Sequence, residues 1–277
     1  MTKAYRRLIT MPYIIWSGLF VILPILLVVY YSLSVETGGR LVFSLDNYRR
    51  VFDPVYLTVL QRSVTLALIC TAVCILLGYP IAYILASSDY VNKGFLLFMF
   101  LIPMWMNLLL RSYSWVTILE RNGFINTALE LIGLPKMNLL YNWSAVLLGM
   151  IHNFLPFMIL PIYSVLRKRD QSLIEAAQDL GANPRHVFLR LTLPLSIPGV
   201  ISGVTMVFMP AATTFIISDL LGGAQYMMIG TLIEQQFLKV NDWHFGSAVS
   251  VILIALMLAS YWVFSMVDKS GEDGVLF

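Results

Sequence analysis

Few side chains in this sequence could do covalent or acid–base chemistry, and none is spaced for it. His152, His186 and His244 fall in three separate regions and make no metal-ligand set. Neither His-Glu-x-x-His nor Gly-x-Ser-x-Gly occurs. No Gly-Lys pair occurs, so the sequence holds no phosphate-cradling P-loop. Cys70 and Cys74 share one face of an apolar run, where two thiols read as packing residues rather than a disulfide framework. The expectation is a chain with no catalytic residue, no metal site and no cofactor of its own.

The polar residues that do form a pattern lie in Glu175-Ala176-Ala177-Gln178-Asp179-Leu180-Gly181-Ala182, closed by Leu193-Pro194 and preceded by Arg167-Lys168-Arg169. Ser172 and Glu175 have the spacing of a capping box. Leu173, Ala176, Ala177 and Leu180 then form one apolar stripe on a short helix. Gly181 suits a left-handed helix stop. Asn183 and Pro184 suit the N-cap and first turn of a second short helix, expected to end at Pro194. The small alanines leave a shallow surface. Either another body docks on it, or the stripe packs on the chain's own remaining segments. The residues alone leave both open.

What positions this island is a chain built for lipid. Hydrophobic residues make up 59% of 277 and charged residues 12%, against roughly 45–50% and about 25% in ordinary globular chains. The apolar residues gather in runs near the length that crosses a bilayer as a helix. Six spans are expected, near 13–33, 62–85, 95–118, 144–166, 197–217 and 247–267, and helices are the form that satisfies its own backbone in lipid. The fold class is therefore an all-α polytopic membrane protein. Pro24, Pro80, Pro103, Pro156, Pro161 and Pro210 fall inside the spans and predict kinks. Gly38-Gly39 and Asp53-Pro54 mark turns in the first connection, and a short helix is expected around Ile229–Leu238 in the fifth.

Arg111 is the one cation well inside a span; it is expected near the outer interface, with its side chain reaching for water. The lack of carboxylates at the midplane argues against a proton-coupled carrier. Orientation follows the basic clusters: Lys3, Arg6 and Arg7 before the first span and Arg167-Lys168-Arg169 after the fourth put both termini and the polar island in the cytoplasm. The modest net charge of +3 leaves no footprint for nucleic acid.

Glu175-Ala176-Ala177, Gly181, Leu191 and Leu193-Pro194 match every anchor of the EAA signature. The chain resembles the ABC-importer permeases, in which that loop forms a cytoplasmic coupling helix seated on a separate ATPase. The resemblance implies a type I importer (MetI-like) core of five helices over 58–267, with the EAA loop at 170–195. Residues 1–57 would add a first span and external loop, and 268–277 a cytoplasmic tail. It implies ATPase coupling through Glu175, Ala176, Ala177, Leu180, Gly181 and Pro194, with ATP and Mg bound by the partner ATPase. It also implies a second permease as heterodimer partner, two ATPase subunits, an extracellular or periplasmic substrate-binding protein, and a bacterial inner membrane.

Leu45-Asp46-Asn47-Tyr48, Leu77-Gly78-Tyr79-Pro80, Ile102-Pro103-Met104-Trp105, Leu155-Pro156-Phe157-Met158, the run Ser218–Ala224 and Asp242-Trp243-His244-Phe245-Gly246 resemble the spermidine/putrescine branch of that family. Permeases for opines, aminoethylphosphonate and thiamine share several of these. A polyamine needs carboxylates or carbonyls for its ammonium groups and aromatic faces for cation–π contacts. Trp105, Asn107, Tyr113, Asp219 and Glu234 are the candidates along the path. Trp105 and Tyr113 also suit an interfacial aromatic belt. Asp219, after the apolar Phe215-Ile216-Ile217, also suits a helix cap or a partner for Arg111. The rival classes are a secondary carrier needing no ATPase, and a membrane enzyme or scaffold.

Overall fold

The computed structural model describes residues 11–87 and 93–273. Lys3, Arg6, Arg7 and the loop residues Ser88–Asn92 lie outside the described residues. The chain divides into two compact units, Met1–Leu60 with Leu232–Leu256, and Gln61–Thr231 with Met257–Phe277.

In the first unit, helix α1 (Met11–Ser32) leads into a hairpin of β1 (Ser34–Thr37) and β2 (Arg40–Phe43). Ser34 pairs with Phe43 and Thr37 with Arg40. Gly38 and Gly39 turn the chain at φ +61° and +78°, as the two-residue turn that matches strand twist requires. Helix α2 (Asp46–Val51) follows, then α3 (Pro54–Ser87), which starts well before its expected boundary and belongs to the second unit from Gln61 onward. At 34 residues α3 is about 51 Å long and outreaches a hydrocarbon core of about 30 Å.

Two stretches from opposite ends of the sequence form one clasp here. Asn47, almost fully buried, donates to the carbonyl of Ser34 at 2.9 Å, and the Tyr48 hydroxyl meets Ser32 Oγ at 2.9 Å. His244 Nδ1 lies 3.1 Å from Ser34 Oγ and 3.2 Å from the Tyr31 carbonyl. Asp242 accepts the Phe245 amide at 3.0 Å through one oxygen and pairs with Arg50 at 2.9 Å through the other. The Arg50 guanidinium covers the Phe245 ring at 4.2 Å. His244 thereby fastens the start of the last helix to the end of the first, and Asp242 fastens it to α2.

In the second unit, α4 (Lys93–Trp105) and α5 (Leu108–Leu119) replace the single third span expected near 95–118. With α6 (Phe124–Leu131), they form a broken pair bent by 94°. The corner has a local cause. Pro103 offers no amide, and Asn107 leaves helical geometry at ψ 134° to cap the next helix, accepting the Leu109 amide at 2.8 Å. Arg111 does not reach for water; it is buried, and its guanidinium donates to the Pro103 carbonyl at 2.7 Å across the corner.

Helix α7 (Trp143–Lys168) carries the core, with α9 (Pro184–Thr213) and α10 (Ile216–Gly222) packed on it. Met150, Met158, Ile159 and Ile162 of α7 and Val207, Ile217 and Leu221 of its neighbours are fully buried. The stretch expected to span as 197–217 breaks at Thr214, which is extended at ψ 136°. Asp219 therefore sits in a separate short helix, not at the end of a span. Helix α11 (Ile229–Gln235), which matches the expected loop helix, leaves this unit at Leu232, and α12 (Trp243–Asp273), which starts in the first unit and returns to the second at Met257, closes the chain. Among the described residues, five helices are long and apolar enough to cross a membrane, six with the bent pair.

The break after α9 depends on Gly230. A Cβ there would overlap the Thr213 carbonyl oxygen and stand 3.0 Å from that of Thr214. Backbone cannot yield as a side-chain tip can. Gly230→Val is expected to destabilise the chain by roughly 1–3 kcal/mol, the usual cost of overpacking. It should show as a lower thermal unfolding midpoint in detergent.

Prolines in the long helices are accommodated locally. Both Leu23-Pro24 and Leu193-Pro194 follow a five-residue π turn, Gly18–Ile22 and Phe188–Thr192, closed by the leucine amide on the first carbonyl of the turn. The wider turn makes room for the ring and absorbs the missing amide. Contrary to expectation, the second helix of the polar island does not end at Pro194; it runs unbroken from Pro184 to Thr213.

Candidate functional site

The polar island folds as two helices at a glycine. The first, α8, spans Gln171–Asp179. Its N-cap is Asp170, not Ser172: the Asp170 carboxylate accepts the Ser172 amide at 3.0 Å. The Ser172 hydroxyl and this amide hold the Asp170 carboxyl below the usual carboxylate range. A depressed folded value means the cap's contribution is complete above the ordinary carboxylate range and is lost as pH falls through the lowered value.

Gly181 stops α8 at φ +81°. Its amide bonds the Gln178 carbonyl at 2.8 Å, and the Ala182 amide reaches back to Ala177 at 3.0 Å. These two bonds make a Schellman stop, and they satisfy carbonyls that would otherwise be orphaned. Asn183 then caps the next helix, accepting the Arg185 amide at 2.7 Å, with Pro184 in the first turn. Glycine, asparagine and proline hold the positions their chemistry predicts.

The apolar stripe is open. Leu180 is 89% exposed and Leu173 50%, with Glu175 and Ala176 also exposed. Of the stripe, Ala177 is partly covered. The alternative left open by the sequence, a stripe folded onto the chain's own helices, is not what the chain does. Next to the exposed leucine, a depression of about 530 Å³ is lined by Gly181, Ala182, Asn183, His186, Val187, Arg190 and Leu191. An exposed leucine beside a concave, basic-rimmed surface has the form of a docking face. Pro194 lies outside that depression, in the first turn of the long helical run after the π bend.

The other candidates are more dispersed. Trp105 is 78% exposed and stacks edge-on against Phe98 at 5.7 Å. Asn107 spends its carbonyl on the cap at the corner. Tyr113 is exposed on α5, against which α10 packs. Asp219 is exposed in the first turn of α10, so the burial that made it costly in the sequence is not met within this chain; no ion pair joins it to Arg111 among the described residues. Glu234 belongs to the other unit and differs in kind: its Oε2 is buried without a hydrogen-bond partner among the described residues. No group of three His, Cys, Asp or Glu that could hold a metal ion occurs among the described residues. A second depression, of about 480 Å³, lies between Leu119–Arg121, Met137–Asn142 and Gln225 and includes none of these candidates.

Residues 74–270 match the family described as binding-protein-dependent transport system inner membrane component. The spermidine/putrescine transport system permease protein PotB of Salmonella typhimurium is 39% identical over 98% of this chain and 98% of its own. PotB of Escherichia coli is 41% identical over 89% and 93%. The fold is similar to that in a crystal structure of a bacterial ABC transporter that imports the acidic polysaccharide alginate, with a TM-score of 0.78 at 17% identity, over 96% of this chain and 95% of that one. It is less similar to the inward-facing MetNI methionine ABC transporter, with a TM-score of 0.58 over 78% and 95%. An open EAA helix, a polytopic helical fold and near full-length relatives converge: this chain belongs to the family of binding-protein-dependent transport system inner membrane components.

Proposed function

We propose that this chain is one of two permeases in an ATP-driven importer of polyamines such as spermidine and putrescine. The observation that carries the substrate is the near full-length identity to permeases named for spermidine and putrescine. The Oε2 atom of Glu234, buried without a hydrogen-bond partner among the described residues, supports it, because such an oxygen is a ready acceptor for an ammonium group. Trp105, Asn107, Tyr113 and Asp219 would supply weaker contacts along the path, in keeping with a transport route that must release what it binds.

Coupling is assigned to α8. Leu180, Ala176 and Ala177 would seat in a groove of an ATPase subunit, with Glu175, Gly181 and Pro194 setting the shape of the loop. ATP and Mg would be held by that subunit and not by this chain. Two ATPase subunits, a second permease and an external binding protein complete the assembly. The basic residues Arg167, Lys168 and Arg169 beside α8 favour a cytoplasmic side for this end, and the proposal sets both termini on that side as well. ATP closes the ATPase pair, α8 moves with it, and the spans alternate between inward-open and outward-open forms.

A competition panel tests the substrate. In proteoliposomes holding the assembled importer, spermidine and putrescine should compete for uptake, while thiamine and aminoethylphosphonate should not. Uptake blocked by thiamine or a phosphonate and indifferent to putrescine would assign the chain to another solute.

A further inference from the structure

Both ends of the docking loop are tied to the same end of one spanning helix. Arg169 follows the last residue of α7 and precedes α8; its backbone is extended at ψ 145°, and its side chain is half-buried. One guanidinium nitrogen donates to Ser87 Oγ at 3.0 Å, at the end of α3. Another donates to Thr192 Oγ1 at 3.3 Å, past the far side of the loop. The guanidinium carbon also lies 5.8 Å from the centre of the Tyr83 ring of α3.

The loop's other end repeats the attachment. Phe188 stands edge-on to both Tyr83, at 5.3 Å, and Tyr79, at 6.0 Å. About two turns further, Ser196 Oγ meets the Tyr79 hydroxyl at 2.9 Å and donates to the Leu193 carbonyl. Thr192 and Ser196 are almost fully buried, so these contacts are fixed by packing. They lie within the π turn Phe188–Thr192 and just beyond it, at a helical irregularity of the kind frequent at functional sites. Arg169, Thr192, Phe188 and the α3 residues Tyr79, Tyr83 and Ser87 thus form one joint, and α8 hangs from it by both of its ends.

We infer that this joint, with Arg169 as its positioning residue, carries the movement of α8 into helix α3. The inference rests on the reading of α8 as the ATPase-docking helix. Arginine suits the task because its planar fork holds donors toward two hydroxyls on different segments while lying near an aromatic ring; a lysine ammonium lacks that fixed fork. Without the fork, α8 can move with the ATPase while α3 stays behind. Such a variant hydrolyses ATP but moves less substrate for each ATP.

The test uses the full importer, with its ATPase subunits, trapped with ATP and vanadate and followed by hydrogen–deuterium exchange. In the unaltered complex, trapping should change exchange both in α8 and at residues 79–87. In Arg169→Gln, the change in α8 should persist and the change at 79–87 should be lost. The complex should still assemble with the ATPase, and spermidine uptake per ATP hydrolysed should fall. Arg169→Lys should recover little of the loss. A merely structural role would lower complex yield and all activities together and leave uptake per ATP unchanged. Propagation to 79–87 in Arg169→Gln as in the unaltered complex would overturn the joint and leave the docking assignment standing. No response of α8 to trapping in the unaltered complex would overturn the docking assignment, and the joint with it.

Discussion

Gly181→Asp is expected to insert in the membrane and express as the unaltered chain does, yet lose transport. Gly181 sits at φ +81°, and a Cβ there would meet nothing within 4 Å. The substitution therefore creates no clash; its cost is the left-handed backbone alone, roughly 1–2 kcal/mol for a residue with a side chain. It also sets a negative charge at a helix C-terminus, where the dipole disfavours it. Spread over a spanning bundle this is tolerable. Concentrated on α8, which has nine residues and is too short to be stable without its caps, it distorts the surface that bears Leu180. Loss of an interface hot spot of about 2 kcal/mol corresponds to roughly thirtyfold or more in docking. Stimulated ATP hydrolysis and uptake should fall at least that far, and normal uptake in this variant would remove Gly181 from the coupling surface.

Glu234→Gln carries the second large effect. The buried Oε2 has no partner among the described residues, and replacing the carboxylate by an amide keeps its shape while removing its charge. A hydrogen bond to a charged group is worth about 1.5–3 kcal/mol, or roughly ten- to a hundredfold in apparent affinity for the cation. Spermidine KM in uptake should rise by that factor with assembly and basal ATP hydrolysis intact. Asp219→Asn should do less, because Asp219 is exposed and not desolvated within this chain. If the two substitutions change KM alike, desolvation is not what selects the cation.

The chain is a permease, a transport subunit. Much of this was legible in the sequence because lipid imposes long apolar runs, and because helix stops use few residue types. Gly181, Asn183 and Pro184 were each readable one residue at a time. The cap at Asp170 was not: two oxygen-bearing residues lie two positions apart, and only the backbone decides which one turns back. The 94° corner was hidden for a related reason. Hydrophobicity runs unbroken through Pro103-Met104-Trp105-Met106, while the break is made by Asn107 capping against it and Arg111 bridging it.

The clasp of Tyr31, Ser34 and Arg50 with Asp242, His244 and Phe245 was out of reach because it joins residues from opposite ends of the chain. Its residues were visible as motifs, but their partners were not. The hairpin was closer to hand: Gly38-Gly39 between Ser-Val-Glu-Thr and Arg-Leu-Val-Phe is a turn signal that loses to length when spans are sought first. On the substrate path the sequence could name acidic and aromatic residues, but not tell the exposed Asp219 from Glu234 with its buried oxygen. That distinction depends on tertiary packing.

On the function proposed above, an ATPase docked on α8 drives polyamine movement through this chain. Radiolabelled spermidine uptake into proteoliposomes holding the assembled importer, with and without the ATPase subunits, measures it directly. Uptake should require ATP on the α8 side, stop when the ATPase is omitted, and be lost with Leu180→Asp, a change at a residue 89% exposed. Spermidine uptake that continues without the ATPase, or that is unaffected by Leu180→Asp, would contradict it.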